Sequence, residues 1–164
     1  MFSPALLAQA ERLLADARAK GLKIVTAESC TGGLIAALLT EIAGSSDVVE
    51  RGFVNYSNDS KHELLEVPNE LIVLHGAVSA EVARAMALGA LKHARADIAV
   101  AVTGIAGPSG GTKEKPVGLV HLAAALGDHV IAQECRFGDI GRGEVRLRAT
   151  AAALEMLGAL FQSP

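Results

Sequence analysis

The sequence predicts a three-layer α/β/α sandwich whose mixed, mostly parallel sheet ends in an antiparallel hairpin. Three observations carry that expectation. The apolar run Ile98-Ala-Val-Ala-Val102 is continuous, as in a strand covered on both faces. Ile24-Val25 feeds a small polar turn, Glu28-Ser29-Cys30-Thr31-Gly32-Gly33, and then apolar residues at helical spacing. Aromatic residues are 3% of the chain and Trp is absent, so the core is built of Ala, Leu, Val and Ile, which suits helices packed closely on a sheet. With 164 residues, 51% of them hydrophobic, one domain spanning 1–164 is expected.

Ser3-Pro4 reads as a cap and first-turn proline, and Leu6, Leu7, Ala10, Leu13, Leu14 and Ala17 form the stripe of a first helix ending at Gly21. After the first strand a second helix is expected from about Thr31 to Ile42. Arg51 to Tyr56 is the next strand, and Ser57-Asn58-Asp59 supplies capping residues for a short helix, Ser60 to Val67, closed by Pro68. A second short turn covers Asn69 to Leu74. Ser79 caps a long Ala-rich helix reaching about Ala94. Beyond Ile98–Val102 lies a glycine-rich loop, Thr103 to Thr112, and a charged stretch, Lys113 to Pro116. Val117–Ala125 and His129–Phe137 form a hairpin turning at Gly127-Asp128, and a last helix runs from about Glu144 to Leu160.

Composition removes several function classes. A net charge of -3 without a basic run gives no footprint for nucleic acid. No apolar run approaches the roughly 20 residues of a membrane span, so no membrane association is expected. The N-terminus shows no secretory pattern, and Cys30 and Cys135 read as free thiols of a cytoplasmic protein. None of His62, His75, His93, His121 and His129 has metal-ligand spacing with another His or Cys, so neither metal nor cofactor is expected. Ala-rich helices and an apolar hairpin leave a homo-oligomer open.

Ser29 stands where a strand meets a helix, a place that favours anions and developing oxyanions, with Cys30, Thr31, Gly32 and Gly33 beside it. Serine there is equally a helix cap, and Cys30 is a rival nucleophile. Ser29 fits neither a Gly-x-Ser-x-Gly nor a Ser-x-x-Lys spelling. The Thr103-Gly104…Gly107 loop is not a Walker motif, because no Gly-Lys-Ser/Thr follows and the next element is a strand. If the strands ending at Ser29 and Thr103 are parallel neighbours, both loops lie on the carboxyl edge of the sheet, where α/β proteins bind ligands. Lys61, placed in the first turn of its helix at a positive helix end, is either strongly solvated or has a lowered pKa, and a lysine with a lowered pKa can take a serine proton. Tyr56, the single tyrosine, precedes that helix and can relay the proton or orient Ser29.

The set Thr26-Ala-Glu-Ser-Cys-Thr-Gly-Gly33, Tyr56-Ser-Asn with Lys61, Gly76-Ala-Val-Ser79, Thr103-Gly-Ile-Ala-Gly-Pro108 and Lys115-Pro-Val-Gly118 resembles the C-terminal domain family of the competence/damage-inducible protein CinA. The resemblance runs from the first helix to the last. It implies an α/β/α sandwich and hydrolysis of the small molecule nicotinamide mononucleotide to nicotinate mononucleotide and ammonia. Carried over position by position, it implies Ser29 as nucleophile with Tyr56 and Lys61. The segment Gly138-Asp139 with Arg142 and Arg146 resembles the family's Gly-Asp-Arg stretch, interrupted here by Ile140-Gly141, and implies Arg142 as a phosphate or substrate contact. Backbone N–H groups among Cys30 to Gly33 would hold the oxyanion. A non-catalytic nucleotide-binding module is the alternative.

Overall fold

The computed structural model describes residues 1–162; Ser163 and Pro164, the last two of the predicted domain, lie outside the described residues. The elements are α1 (Pro4–Ala19), β1 (Ile24–Glu28), α2 (Leu34–Glu41), β2 (Val49–Val54), α3 (Asn58–Leu65), α4 (Asn69–His75), α5 (Ala80–Lys92), β3 (Ile98–Gly104), β4 (Leu119–Leu126), β5 (His129–Arg136) and α6 (Arg142–Phe161). The sheet order is β2-β1-β3-β4-β5. β1 pairs in parallel with β2 and β3, and β4 runs antiparallel to β3 and β5. This is the expected mixed sheet with its terminal hairpin.

Strand alternation sorts the core into two unlike faces. Ile24, Ile98, Val100, Val102, Val120 and Leu122 pack with α1, α2 and α6. On the other face Ala27, Ala99, Ala101, Ala123 and Ala125 make a floor of methyl groups that lets α5 come close, with Val82, Ala83, Met86, Ala87 and Ala90 against it. The closest approach falls at Gly89, where an added Cβ would collide with the Leu65 carbonyl oxygen between α3 and the next loop. That glycine therefore sets the distance from α5 to α3, the helix that carries Lys61.

Several boundaries differ from expectation: β2 runs Val49–Val54 rather than Arg51 to Tyr56, β3 continues to Gly104 into the expected loop, Asn69–His75 is a helix and not a turn, and α6 starts at Arg142 rather than Glu144. α2 begins at Leu34 rather than near Thr31, because Gly32 and Gly33 take φ of 58° and 98°, outside the helical region. Ser29 is accordingly no helix cap; the cap position is Gly33. α3 begins two residues before the expected Ser60, since Ser57, not Asn58 or Asp59, is its cap, accepting from the Ser60 amide. Ser79 caps α5 as expected, accepting from Val82.

Gly89→Ala should test the α5–α3 contact. Intrinsic propensity favours Ala in a helix by about 1 kcal/mol, yet overpacking should make the variant less stable by about 1–3 kcal/mol in urea melts. A variant as stable as the parent or more so would show that α5 does not pack as described.

Candidate active site

β1 and β3 are parallel neighbours, so the loops after Glu28 and Thr103 share the carboxyl edge of the sheet. Between them opens a cavity of about 230 Å³, lined by Ser29, Cys30, Tyr56, Asn58, Lys61, Ala77, Val78, Thr103, Gly104, Ala106 and Arg142. Seven of the residues singled out in the sequence thus meet in one place, Ser29, Cys30, Tyr56, Lys61, Thr103, Gly104 and Arg142. Thr31, Gly32, Gly33 and Gly107 are not in its lining, and neither is any histidine.

The turn that carries Ser29 is organised by a residue to which sequence reasoning gave no role. Glu28 is fully buried, and its carboxylate accepts from the Thr31 hydroxyl (2.6 Å) and from the amides of Gly33 (3.1 Å), Ile35 (3.0 Å) and Ala36 (2.8 Å). It caps α2 from one strand away and folds the turn over itself. Arg146 clamps the same turn from α6, donating to the carbonyls of Cys30 (3.1 Å) and Thr31 (2.8 Å). A carboxylate directly before the nucleophile, followed by a hydroxyl and two glycines, was the available signal; it reads as a cap only once the turn geometry is known.

These contacts correct the expected oxyanion donors. The Gly33 amide is taken by Glu28, and the Gly32 amide by the Ser29 carbonyl at 3.0 Å. The amides of Cys30 and Thr31 remain as the donors of the turn that no carbonyl or carboxylate takes among the described residues. Thr31 is fully buried with its hydroxyl on Glu28, so its side chain supports the turn instead of meeting a ligand.

Lys61 is 1% exposed and reaches Ser29 directly, with Nζ 3.1 Å from Oγ. The chain leading into α3 wraps the amine, its Nζ lying 3.1 Å from the Asn55 carbonyl, 3.2 Å from that of Tyr56 and 3.5 Å from that of Ser57. Burial holds its pKa below the usual lysine value, so the cause is desolvation and not the helix end invoked from sequence. A neutral amine keeps two N–H donors and one lone pair. Were Lys61 deprotonated, the two nearest carbonyls would accept its donors and the lone pair would be left for the Ser29 hydroxyl. Cys30, by contrast, is buried and its thiol is pushed up to about 12, chiefly by desolvation, which leaves it protonated and a poor nucleophile.

Tyr56 stands elsewhere than the relay position. Its side chain is 60% exposed and its hydroxyl accepts from Arg142 Nη2 at 3.1 Å; what it presents to Lys61 is its carbonyl. Arg142 also donates to the Gly107 carbonyl at 2.9 Å, joining the glycine-rich loop to Tyr56 across the cavity mouth. Arg142 therefore faces the cavity while Arg146 lies behind the turn. The Thr103 hydroxyl donates to the Ala77 carbonyl (2.9 Å), fixing the wall between β3 and α5.

A nucleophile, a desolvated amine touching it and free amides beside it fit acyl transfer, and the order of residues is that of a known family. The model of the CinA C-terminal domain matches residues 7–161. The chain belongs to the CinA C-terminal domain family. Among family relatives, the nicotinamide-nucleotide amidohydrolase PncC of Escherichia coli K12 is 52% identical over 146 residues, covering 88% of this chain and 87% of its own length. A CinA-like protein of Mycolicibacterium gilvum is 54% identical over 137 residues, 84% of this chain but 32% of that protein. The crystal structure of the competence/damage inducible protein CihA from Agrobacterium tumefaciens superposes with a TM-score of 0.97 at 56% identity, covering 99% of both chains.

The environment of Cys30 makes it chemically silent in the folded protein. At pH 8, peptide mass spectrometry after brief iodoacetamide treatment should find Cys30 alkylated at least about 100-fold more slowly than in urea, since its thiolate is scarce and shielded. Rapid stoichiometric labelling of the native protein would reverse the assignment of serine over cysteine.

Proposed function

We propose that this chain is a nicotinamide-nucleotide amidohydrolase of pyridine-nucleotide salvage, converting nicotinamide mononucleotide and water to nicotinate mononucleotide and ammonia. The observation that carries the reading is the buried Lys61 to Ser29 contact of 3.1 Å at the edge of an open cavity, in a chain 52% identical to a protein named for that reaction.

In this reading the neutral Lys61 amine accepts the Ser29 proton as Oγ attacks the carboxamide carbon. The Cys30 amide, the one following the nucleophile, binds the oxyanion. Lys61 then gives its proton to the departing ammonia, and water hydrolyses the acyl-enzyme with the same amine as base. Because Lys61 touches Ser29 directly, Tyr56 need carry no proton. Its phenol and the Arg142 guanidinium instead meet the nucleotide at the cavity mouth, where Arg142 retains donors for a phosphate. The Thr103–Gly107 segment forms the opposite wall.

Ser29→Ala should lower ammonia release from nicotinamide mononucleotide by at least about 1,000-fold while binding of the nucleotide persists. Parental turnover in that variant would refute the nucleophile, and tight nucleotide binding by the parent without turnover would favour the non-catalytic module. The pH profile gives a second check. Since the base must be neutral and burial lowers its pKa, kcat/KM should climb with pH through an apparent pKa below the ordinary lysine value of 10.5 and then level off. A profile that falls over this range would exclude Lys61 as the base.

A further inference from the structure

Asn55 is fully buried, and neither its Oδ1 nor its Nδ2 has a hydrogen-bond partner within the protein. Leaving a buried carboxamide unpaired forfeits its hydration with nothing in return, so such a residue calls for an occupant. Its place in the sheet indicates which one. The ladders of β1 with β2 and β3 continue one residue beyond Glu28: the Asn55 amide donates to the Glu28 carbonyl (2.9 Å), and the Ser29 amide to that of Val102 (3.1 Å). Asn55, Ser29 and Thr103 therefore stand level on adjacent strands, with their side chains on the α3–α5 face. Lys61 Nζ bridges the first two, 3.1 Å from the Asn55 carbonyl and 3.1 Å from Ser29 Oγ.

Asn55 is not part of the cavity lining, so its carboxamide is no direct wall of the space open to a nucleotide. A ligand that needs both a donor and an acceptor, fits beside a buried amine and is smaller than any nucleotide group is a water molecule. We propose that the Asn55 carboxamide holds the water that deacylates the enzyme. This rests on the serine mechanism above. Once ammonia has left, that water adds through its oxygen to the ester carbon on Ser29 and passes a proton to Lys61. The bond from carbon to Ser29 Oγ then breaks, and Oγ recovers the proton from Lys61, giving the free acid and the starting enzyme. Asn55 is in this view a positioning residue for the second half of the reaction only.

The experiment separates the two halves. In Asn55→Leu, which replaces the polar atoms by apolar ones of similar size, rapid-quench mixing with nicotinamide mononucleotide should show the ammonia burst within about twofold of the parent and steady turnover at least tenfold slower. Intact-mass analysis should find the nicotinate-nucleotide ester accumulating on Ser29, and excess hydroxylamine, a nucleophile that needs no held water, should restore turnover. A high-resolution crystal structure of the parent should show a water within hydrogen-bond distance of Asn55 Oδ1 or Nδ2 and of Lys61 Nζ; this stands even if the variant folds poorly. Parental steady turnover in Asn55→Leu, equal loss of burst and turnover in the folded variant, or an Asn55 amide satisfied by protein groups in the crystal would each overturn the proposal. If Ser29→Ala works at the parental rate, the serine reading itself fails and the proposal with it. If Ser29→Ala is inactive and Asn55→Leu is unimpaired, the proposal alone fails.

Discussion

The site depends on a buried carboxylate that does no chemistry. Two carboxylate oxygens offer about four acceptor positions, and Glu28 fills them with one hydroxyl and three amides. Its negative charge also sits at the positive end of α2, which offsets the cost of burying it. Because successive strand residues face opposite ways, Glu28 points into the α2 layer and Ser29 into the α3–α5 layer. One residue thus builds the turn and the next uses it. The amides Glu28 consumes are as informative as those it leaves, since its hold on Gly33 limits the free donors to Cys30 and Thr31, beside the nucleophile.

The second half of the site is assembled through packing. Gly89 lets α5 lie against the end of α3, and the alanine floor of the sheet lets α5 settle on β1, β3 and β4. α3 is thereby held against α5 with Lys61 buried beneath it, where loss of water depresses the basicity of the amine. The same burial acts on Cys30 in the opposite direction, because it penalises a thiolate as it does an ammonium. One desolvated corner therefore favours the neutral forms of both the lysine and the cysteine. α6 completes the arrangement with Arg146 behind the turn and Arg142 across the mouth.

Much of this was legible in the sequence. Periodicity gave the elements and the hairpin, the polar strand ends gave the carboxyl edge, and the family resemblance pointed to Ser29, Lys61 and Arg142, which the fold brings to one cavity. What could not be read depended on directions in space. A glutamate before a serine looks like any acidic residue until two glycines with positive φ bring three amides onto it. Asn55 looks like a strand end until burial removes its partners. Lys61 was expected to be tuned by a helix end, but the α3 cap lies at Ser57 and the chain folds over the amine, so desolvation dominates. Tyr56 was expected to reach inward; its carbonyl does so and its ring does not.

The central role of Glu28 is most directly tested by the steady-state kinetics of Glu28→Gln beside its melting curve. Glutamine keeps the size but turns one edge into a donor, so it cannot serve both the Ala36 amide and the cluster of Thr31, Gly33 and Ile35. A cooperatively folded variant with kcat for nicotinamide mononucleotide lowered at least tenfold and KM little changed is the expected result. A folded Glu28→Gln protein with parental kcat would contradict it, because the nucleophile turn would then hold its geometry without the carboxylate.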